Sequence, residues 1–434
     1  MERVEIGLVS IGVLLVVLAL RVPIGIALAL VAFFGVAIVT NSNVAFGLLS
    51  NVPYEFIGDW SLSAVPMFMF MGFLATEMKL TSSLFKAMRI FLAGLPGSLA
   101  VSSVAACAMF AAASGSSVAT SASMSRIAVP EMLKLGYNPG LATGSIASAG
   151  TLGSLIPPSI LMVIFGIFAE VSIGKLFAAG VIPGILSAVM FCLMIIIRVK
   201  LNPKLAPEMI EKPSAADRMW AMRETWPLPL LVFGVLGGIY IGIFTPTEAG
   251  AVGAGLTILI ALMQREFSFQ RFWNSARQAV EGTASIFIIA VGAGLFARFM
   301  ALTGVPDFLA TSFLTSDSQI ILILQLSLMF LLLGCFLDSI GIMLLTLPII
   351  LPLLHQADVD LIWFGIILIK LLEIGLVTPP VGLNVFVIKS SLGKLVTLPQ
   401  IFRGVTWFIF ADLITLGLLI AFPLISLWLP SMMQ

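Results

Sequence analysis

Long apolar segments separated by short polar ones run along the whole chain. A helix rises about 1.5 Å per residue and needs about 20 apolar residues to cross the hydrocarbon core of a bilayer. The segments that fit one membrane-spanning helix each are 6–20, 23–39, 62–78, 176–197, 226–244, 249–263, 284–301 and 402–429. The pattern therefore predicts an all-α polytopic membrane protein.

Two longer apolar segments, 98–134 and 318–357, do not fit a single straight helix. Each carries polar residues at its centre, which are small and hydroxyl residues at 114–117 in the first segment and Asp338 with Ser339 in the second. Irregular backbone is tolerated at membrane depth only where it lines a cavity or lies inside the protein. We predict a re-entrant hairpin in each segment, which enters and leaves the membrane on the same side.

The segments after these hairpins, 138–169 and 361–389, each carry the pattern Gly-x-x-x-Pro-Pro, which begins at Gly153 and at Gly375. Proline lacks an amide N–H and clashes with the preceding helical turn. We therefore predict that each of these two helices is broken near the middle of the membrane.

The chain contains an internal duplication. When the sequence is shifted against itself by 222 residues, Ser117 falls on Ser339 and Gly153 on Gly375 without a gap. Each copy then makes five net membrane crossings. Because an odd number of crossings reverses the direction of the chain, the second copy is predicted to be inverted relative to the first.

The duplication divides the chain into a repeat at 1–199, a cytoplasmic connecting loop at 200–225 and a repeat at 226–434. The parts of the first repeat are scaffold spans at 6–78, an interfacial arm at 80–97, a hairpin at 98–134, a broken helix at 138–169 and a span at 176–197. The corresponding parts of the second repeat are 226–301, 303–317, 318–357, 361–389 and 402–429.

Lys and Arg are distributed unequally between the two predicted sides of the membrane. With a periplasmic N-terminus, the cytoplasmic side receives Arg21, Lys79, Lys86, Arg89, Lys134, six Lys or Arg at 198–223, Arg265, Arg271, Arg277, Lys389, Lys394 and Arg403. The other side receives little beyond Arg3, Lys175 and Arg298. Since cytoplasmic loops carry the excess of Lys and Arg, we predict that both termini are periplasmic and that the two hairpins open to opposite sides.

The composition agrees with a chain that lies in a lipid bilayer. It is 60% hydrophobic and 10% charged, against roughly 25% charged residues in soluble domains. The formal net charge is +1, so no basic surface for nucleic acid is predicted. Three isolated cysteines and the single His355 argue against a zinc site or a histidine-based triad. We predict no enzymatic activity and no organic cofactor.

A broken helix exposes carbonyl groups at the end of its first half, which attract a cation, and N–H groups at the start of its second half, which attract an anion. Hydroxyl and carbonyl oxygens suit a hard cation such as sodium. We therefore predict one sodium site at Ser114, Ser117, Gly153 and Ile156, and a second at Asp338, Ser339, Gly375 and Thr378. The predicted substrate contacts are Ser116, Thr120, Ser159 and Asn384.

Each of these polar residues has a structural alternative. Small hydroxyl residues also allow membrane helices to pack closely, and Asp338 is also compatible with a buried, hydrogen-bonded acid. Lys370 and Glu373 lie three residues apart on one helix, so we predict that they neutralise each other. Glu248 fits a capping box with Thr245.

Several motifs together resemble the large membrane subunit of tripartite ATP-independent periplasmic (TRAP) transporters, the DctM type. They are SGSSVAT from Ser114, VPEMLKLGY from Val129, GSLIPPSI from Gly153, AGVIPG from Ala179, FTPTEAG from Phe244 and GLVTPPVGLN from Gly375. The resemblance covers essentially the whole chain. Some relatives carry an aspartate where Thr120 stands, so a role of that carboxylate is not transferred here.

The resemblance implies a secondary transporter of the bacterial inner membrane that takes up organic acids with a sodium gradient. It also implies a soluble periplasmic binding protein that delivers the substrate, a small membrane subunit of about four helices, and an elevator motion of the hairpins and broken helices. No Walker A pattern occurs in the chain, so ATP hydrolysis by this chain is not expected.

Our main hypothesis is a sodium-coupled carrier of a small organic anion of the carboxylate class. The alternative is a proton-conducting or antiporter-like subunit of a respiratory assembly, with Lys370, Glu373 and Asp338 as relay groups. Such a relay needs a chain of ionisable residues across the membrane, and these charges are few and scattered. The sequence leaves the identity of the anion open.

Overall fold

The computed structural model describes residues 2–78, 80–207, 213–313 and 318–433. Across these ranges the chain is helical, and no strand is assigned. Five of the described helices are long and apolar enough to cross a membrane, or seven membrane spans result if each of two bent helix pairs counts as one. The five helices are Ile173–Leu201, Pro246–Met263, Phe269–Thr303, Ser339–Gln356 and Leu398–Ala421.

The N-terminal scaffold begins with the helices Arg3–Ala19 and Ile24–Val39. A helix over Ser42–Ile57, which the apolar pattern does not predict, follows them and is bent by 57° against the next helical segment, Trp60–Glu77. The side chain of Asn41 caps its start by accepting a hydrogen bond from the Val44 amide at 3.0 Å. The polar residues and Pro53 within this helix explain why its apolar signal is weak.

The first hairpin consists of the helices Ser98–Ser114 and Ser117–Lys134, preceded by an amphipathic arm over Leu80–Phe91. The turn is made by Gly115 in the left-handed conformation, with φ of 60°. A Cβ atom at Gly115 would lie 2.9 Å from the Pro158 carbonyl oxygen. Glycine is therefore needed here both for the backbone angle and for the contact with the first broken helix.

The second hairpin consists of the helices Gln319–Gly334 and Ser339–Gln356, and its arm is the helix Val305–Phe313. Asp338 caps the start of the second limb, since its carboxylate accepts a hydrogen bond from the Gly341 amide at 2.9 Å. The tip of this hairpin thus lies 222 residues after the tip of the first, with Ser339 at the position of Ser117.

The first broken helix consists of Pro139–Leu155 and Ile160–Phe168, bent by 41°. The second broken helix consists of Leu361–Gly375 and Leu383–Leu392. The peptide bonds Pro157-Pro158 and Pro379-Pro380, which lie in the two breaks, are both cis. Both interruptions thus lie at the Gly-x-x-x-Pro-Pro motifs.

Four predicted segments differ from the structure. The predicted span 226–244 is a shorter helical stretch over 227–240 that contains a π-helical segment, Phe233–Gly237. The connecting segment 200–225 contains a helix over Ala215–Thr225, capped by Ser214 and packed against the arm Leu80–Phe91. The predicted span 284–301 is the C-terminal part of a longer helix, Phe269–Thr303. The polar N-terminal turns of this helix precede the apolar stretch. The predicted last span 402–429 is divided at Pro423 into Leu398–Ala421 and Leu424–Ser431.

The two repeats are packed into each other. Helix Ile24–Val39 of the first repeat packs along Phe269–Thr303 of the second, and the first broken helix packs on Leu398–Ala421. The half-helix Leu383–Leu392 contacts the returning limb of the first hairpin. These contacts bring the hairpin tips and the helix breaks of both repeats into the interior.

Candidate functional site: a cavity between two hairpin tips and two helix breaks

A cavity of about 170 Å³ lies where the four interrupted segments meet. The first hairpin contributes 115–118 to its lining and the second contributes 338–340. Ser154, Ile160 and Leu161 line it from the first broken helix, and Glu373, Leu376 and Leu383 from the second. Met69 and Ile286 close it on the side of the scaffold. The cavity is therefore built from both repeats.

Two glycines allow the broken helices to approach the hairpins at backbone distance. A Cβ atom at Gly153 would lie 2.6 Å from the Ser116 carbonyl oxygen, and one at Gly375 would lie 2.5 Å from the Gly334 Cα atom. Neither distance is compatible with an alanine unless the backbone moves. Both glycines were predicted from the sequence as parts of sodium sites, and in the structure they are contact points between a helix and a hairpin.

The residues of the first predicted sodium site lie at the tip of the first hairpin and near the end of the half-helix Pro139–Leu155. Ser117 and Gly153 are adjacent, while Ile156 is the extended residue that ends the first half-helix. The hydroxyl of Ser114 is instead 2.7 Å from that of Thr120, within the hairpin. Ser117 is the member of this group that lines the cavity.

In the second predicted sodium site, Asp338 and Ser339 line the cavity. The hydroxyl of Ser339 is buried and has no hydrogen-bond partner among the described residues. Gly375 ends the first half of its broken helix. Thr378 turns its hydroxyl back to the Ile374 carbonyl at 2.6 Å, and it is not part of the lining.

Of the four predicted substrate contacts, Ser116 lines the cavity. Thr120 donates to the Ser116 carbonyl at 2.9 Å, and Ser159 caps the helix Ile160–Phe168 by accepting from the Met162 amide. Asn384 is fully buried and donates to the Ala147 carbonyl at 3.4 Å. The structure therefore places these last three residues in the walls behind the lining.

Glu373, which the sequence analysis pairs with Lys370 and names as a relay group in the alternative hypothesis, lines the cavity. Its side chain is 1% exposed, and its Oε2 atom accepts a hydrogen bond from the Ser117 hydroxyl at 2.5 Å. The Ser117 hydroxyl is also 2.7 Å from that of Ser154. These contacts join the second broken helix to both the hairpin and the broken helix of the first repeat.

The predicted pairing of Lys370 with Glu373 is wrong. The Lys370 ammonium forms an ion pair with Asp412 and donates to the Ser187 hydroxyl at 3.1 Å. The side chains of Lys370 and Asp412 are 1% and 0% exposed. Lys370 and Glu373 lie about one helical turn apart. The side chain of Lys370 contacts Asp412, whereas that of Glu373 lines the cavity.

Residues 11–425 match the family described as "Tripartite ATP-independent periplasmic transporter, DctM component". The chain belongs to the DctM family. The family resemblance predicted from the motifs is thereby confirmed.

The names of proteins related to this DctM chain refer to several different substrates. The C4-dicarboxylate TRAP transporter large permease protein DctM of Pseudomonas aeruginosa is 35% identical over 87% of this chain and 88% of the relative. The sialic acid TRAP transporter large permease protein SiaM of Vibrio cholerae is 29% identical over 94% of this chain and 95% of the relative. The isethionate TRAP transporter permease protein DctMQ of Oleidesulfovibrio alaskensis is 33% identical over 85% of this chain and 58% of the relative.

Among solved structures, the Alcanivorax borkumensis YdaH transporter matches the fold with a TM-score of 0.63. The sequence identity is 12%, and the match covers 90% of this chain and 89% of that chain. At this identity the likeness concerns the fold alone. It agrees with the predicted all-α membrane fold with hairpins and broken helices.

Membership of the DctM family makes the chain a multi-pass membrane component of a TRAP transporter, and TRAP permeases are proteins of the bacterial inner membrane. The family is a transport family and not an enzyme family. Family membership supports a TRAP transport role and not the alternative hypothesis of a respiratory proton-conducting subunit.

The sequence does not predict that Glu373 lines the cavity or that Asp412 is the partner of Lys370. An acidic residue inside an apolar helix was the available signal, because such residues are rare and normally face the protein interior or a cavity. Asp412, within the apolar segment 402–429, carries this signal. Glu373 carries it too, but Lys370, the nearest opposite charge along the helix, pairs with Asp412 instead.

Proposed function

We propose that this chain is the large permease of a sodium-coupled secondary transporter that imports a small organic anion of the carboxylate class. The observation that supports this most is the cavity, since it is lined by both hairpin tips and by both helix breaks. Paired half-helix ends near the middle of a membrane are the arrangement with which inverted-repeat transporters bind ions and anionic substrates.

The cavity offers groups for a cation. The first halves of the broken helices end at Leu155 and Gly375, and the negative end of each helix dipole favours positive charge there. Carboxylate oxygens of Asp338 and Glu373 and the hydroxyls of nearby serines supply hard ligands. We propose at least two sodium ions, and we assign no organic cofactor.

The same cavity offers groups for an anion. The returning limbs of the hairpins begin at Ser117 and Ser339, so two helices of 18 residues each start at the cavity lining. Helix N-termini bind anionic groups through free N–H groups and the helix dipole. Asp338 occupies one of these N-termini, so we propose the first hairpin tip, with Ser116, as the principal contact for the substrate carboxylate.

We propose two further protein components, a small membrane subunit of about four helices and a soluble periplasmic binding protein. The description of the family as tripartite supports both. We also propose that the hairpins and broken helices move together as an elevator against the scaffold and that both termini are periplasmic. The names of relatives, which include C4-dicarboxylate and sialic acid, support an anion of the carboxylate class.

Transport into proteoliposomes tests this function. The chain is reconstituted with its small subunit, and the binding protein is added outside with a radiolabelled C4-dicarboxylate, or with a sialic acid or isethionate in parallel. We expect concentrative uptake that requires the binding protein and an inward sodium gradient. Uptake that is unchanged when potassium replaces sodium and the proton gradient is collapsed contradicts sodium coupling.

A further inference from the structure

Glu373 is a buried carboxylate of which one oxygen is unsatisfied. It lies two residues before the end of the helix Leu361–Gly375 and lines the cavity. Its Oε2 atom accepts a hydrogen bond from Ser117, while its Oε1 atom has no hydrogen-bond partner among the described residues. A buried charge without a partner is strongly unfavourable in an apolar environment. The site therefore lacks a group that satisfies this oxygen.

The charged side chains nearby do not supply that group. Lys370 is committed to Asp412 on the helix Leu398–Ala421, so this ion pair already balances its charge. Asp338, the other carboxylate of the cavity lining, carries the same sign as Glu373 and accepts a hydrogen bond from the Gly341 amide. Lys370, Glu373 and Asp412 together contain one basic and two acidic groups, so one acidic group has no basic partner among them.

The atoms around Glu373 are oxygen donors of the kind that sodium prefers. The Ser117 hydroxyl lies 2.7 Å from the Ser154 hydroxyl and 3.4 Å from the Thr151 carbonyl oxygen. The Ser339 hydroxyl faces the same cavity without a hydrogen-bond partner among the residues that the structure describes. Both first half-helices direct their C-terminal ends at this place, which adds negative potential.

We propose that Glu373 is a sodium ligand and that its site is shared by the two repeats, with Ser117 and Ser154 from the first and Ser339 from the second. This inference rests on the proposed function, in which sodium is the coupling ion. The site differs from the two predicted from the sequence, because each of those lies within one repeat. Sodium at Glu373 links the first hairpin tip to both broken helices, so its binding and release change how firmly these segments are held together.

Sodium binding to the purified full-length chain with its small subunit, in nanodiscs, tests the proposal. Binding of ²²Na⁺ and the sodium-dependent rise of the thermal unfolding midpoint are measured, with potassium keeping the ionic strength constant. A ligand that binds only the folded state raises the free energy of unfolding, and the increase grows with the logarithm of the ligand concentration once that concentration exceeds the dissociation constant. We expect Glu373→Gln to weaken the apparent sodium affinity at least about tenfold, on the reasoning that a full charge is lost from a buried site.

The matched control is Asp360→Asn, which makes the same chemical change on the same helix. Asp360 is exposed and caps that helix by accepting from the Trp363 amide at 2.9 Å, a role that asparagine retains. We expect its sodium affinity to equal that of the unchanged protein. Ser117→Ala is a second test variant, because it removes one proposed ligand without changing the charge, and we expect a smaller loss of affinity.

The outcomes separate this proposal from the function on which it rests. If the unchanged protein binds no sodium and its uptake does not depend on sodium, the proposed coupling itself is wrong. If the unchanged protein is sodium-dependent but Glu373→Gln binds sodium with the same affinity, the assignment of Glu373 alone is overturned. The same holds if the substitution abolishes only a pH dependence of uptake, since Glu373 is then a proton site.

Discussion

Lys370 forms a buried ion pair with Asp412, 42 residues further along the chain, and leaves Glu373 on its own helix to face the cavity. The ion pair joins the second broken helix to the helix Leu398–Ala421, and Ser187 adds a contact to Ile173–Leu201. Within one helical turn, Lys370 thus belongs to a buried ion pair and Glu373 lines the cavity. This arrangement separates the residues that hold the fold from those proposed to bind a coupling ion.

Removal of the Lys370 charge should destabilise the protein. Lys370→Met leaves Asp412 buried without its partner, which typically costs about 3–5 kcal/mol. We expect a lower thermal unfolding midpoint, measured by tryptophan fluorescence in detergent. The double variant Lys370→Met with Asp412→Leu removes both charges, so we expect it to recover most of the loss. An equally low midpoint in the double variant contradicts a simple ion pair.

The close approach of the first broken helix to the first hairpin can be tested at Gly153. A methyl group there meets the Ser116 carbonyl at 2.6 Å and the Ser117 amide at 2.9 Å. We expect Gly153→Ala to lower stability by about 1–3 kcal/mol through overpacking and to reduce uptake strongly. Gly255→Ala is the control, since no atom lies within 4 Å of the added methyl group. Loss of uptake in both variants would show that the effect is not due to this contact.

Two substitutions at Asp338 separate its capping role from its proposed ionic role. Asparagine at this position retains a side-chain oxygen for the Gly341 amide, whereas alanine does not, and losing such a cap costs about 0.5–2 kcal/mol. We therefore expect Asp338→Asn to unfold at an unchanged temperature but to need more sodium for half-maximal uptake. Asp338→Ala should lose both stability and sodium affinity. Unchanged sodium dependence of uptake in Asp338→Asn assigns this carboxylate to capping alone.

The inverted orientation of the two repeats can be tested at an equivalent pair of positions. Lys134 and Gln356 lie 222 residues apart, at the ends of the two hairpins, and both are exposed. Single cysteines are introduced there after replacement of Cys107, Cys192 and Cys335. We expect a membrane-impermeant maleimide to label the cysteine at 356 from the periplasmic side and the one at 134 only in inside-out vesicles. Labelling of both from one side contradicts inverted repeats.

The hairpins and broken helices were predictable because their signals are local. A polar turn inside a long apolar segment and a proline pair inside a helix both act on the backbone within a few residues. The internal repeat added a second, independent copy of each signal. In contrast, helix Ser42–Ile57 was missed because Asn43, Ser50, Asn51 and Pro53 interrupt its apolar pattern. The capping box of Glu248 with Thr245, which is also a local signal, is confirmed.

The candidate site was predictable only in part. Ser116, Ser117, Asp338 and Ser339 lie at turns that the sequence marks, and the structure brings all four to the cavity. Thr120, Ser159 and Asn384 are near the same turns, but helix geometry directs their side chains into hydrogen bonds within the protein. A difference of one residue along a helix turns a side chain by about 100°, and spacing alone does not determine which direction meets the cavity.

The sequence by itself determined the family, the helical membrane architecture and the four interruptions, because hydrophobic length, proline and glycine act locally on the backbone. Only the tertiary structure decided that Lys370 belongs to Asp412 and that Glu373 meets Ser117 of the other repeat. Those contacts join residues 42 and 256 positions apart in the chain. Which charges meet depends on how several helices pack together, and no periodicity within one helix encodes that.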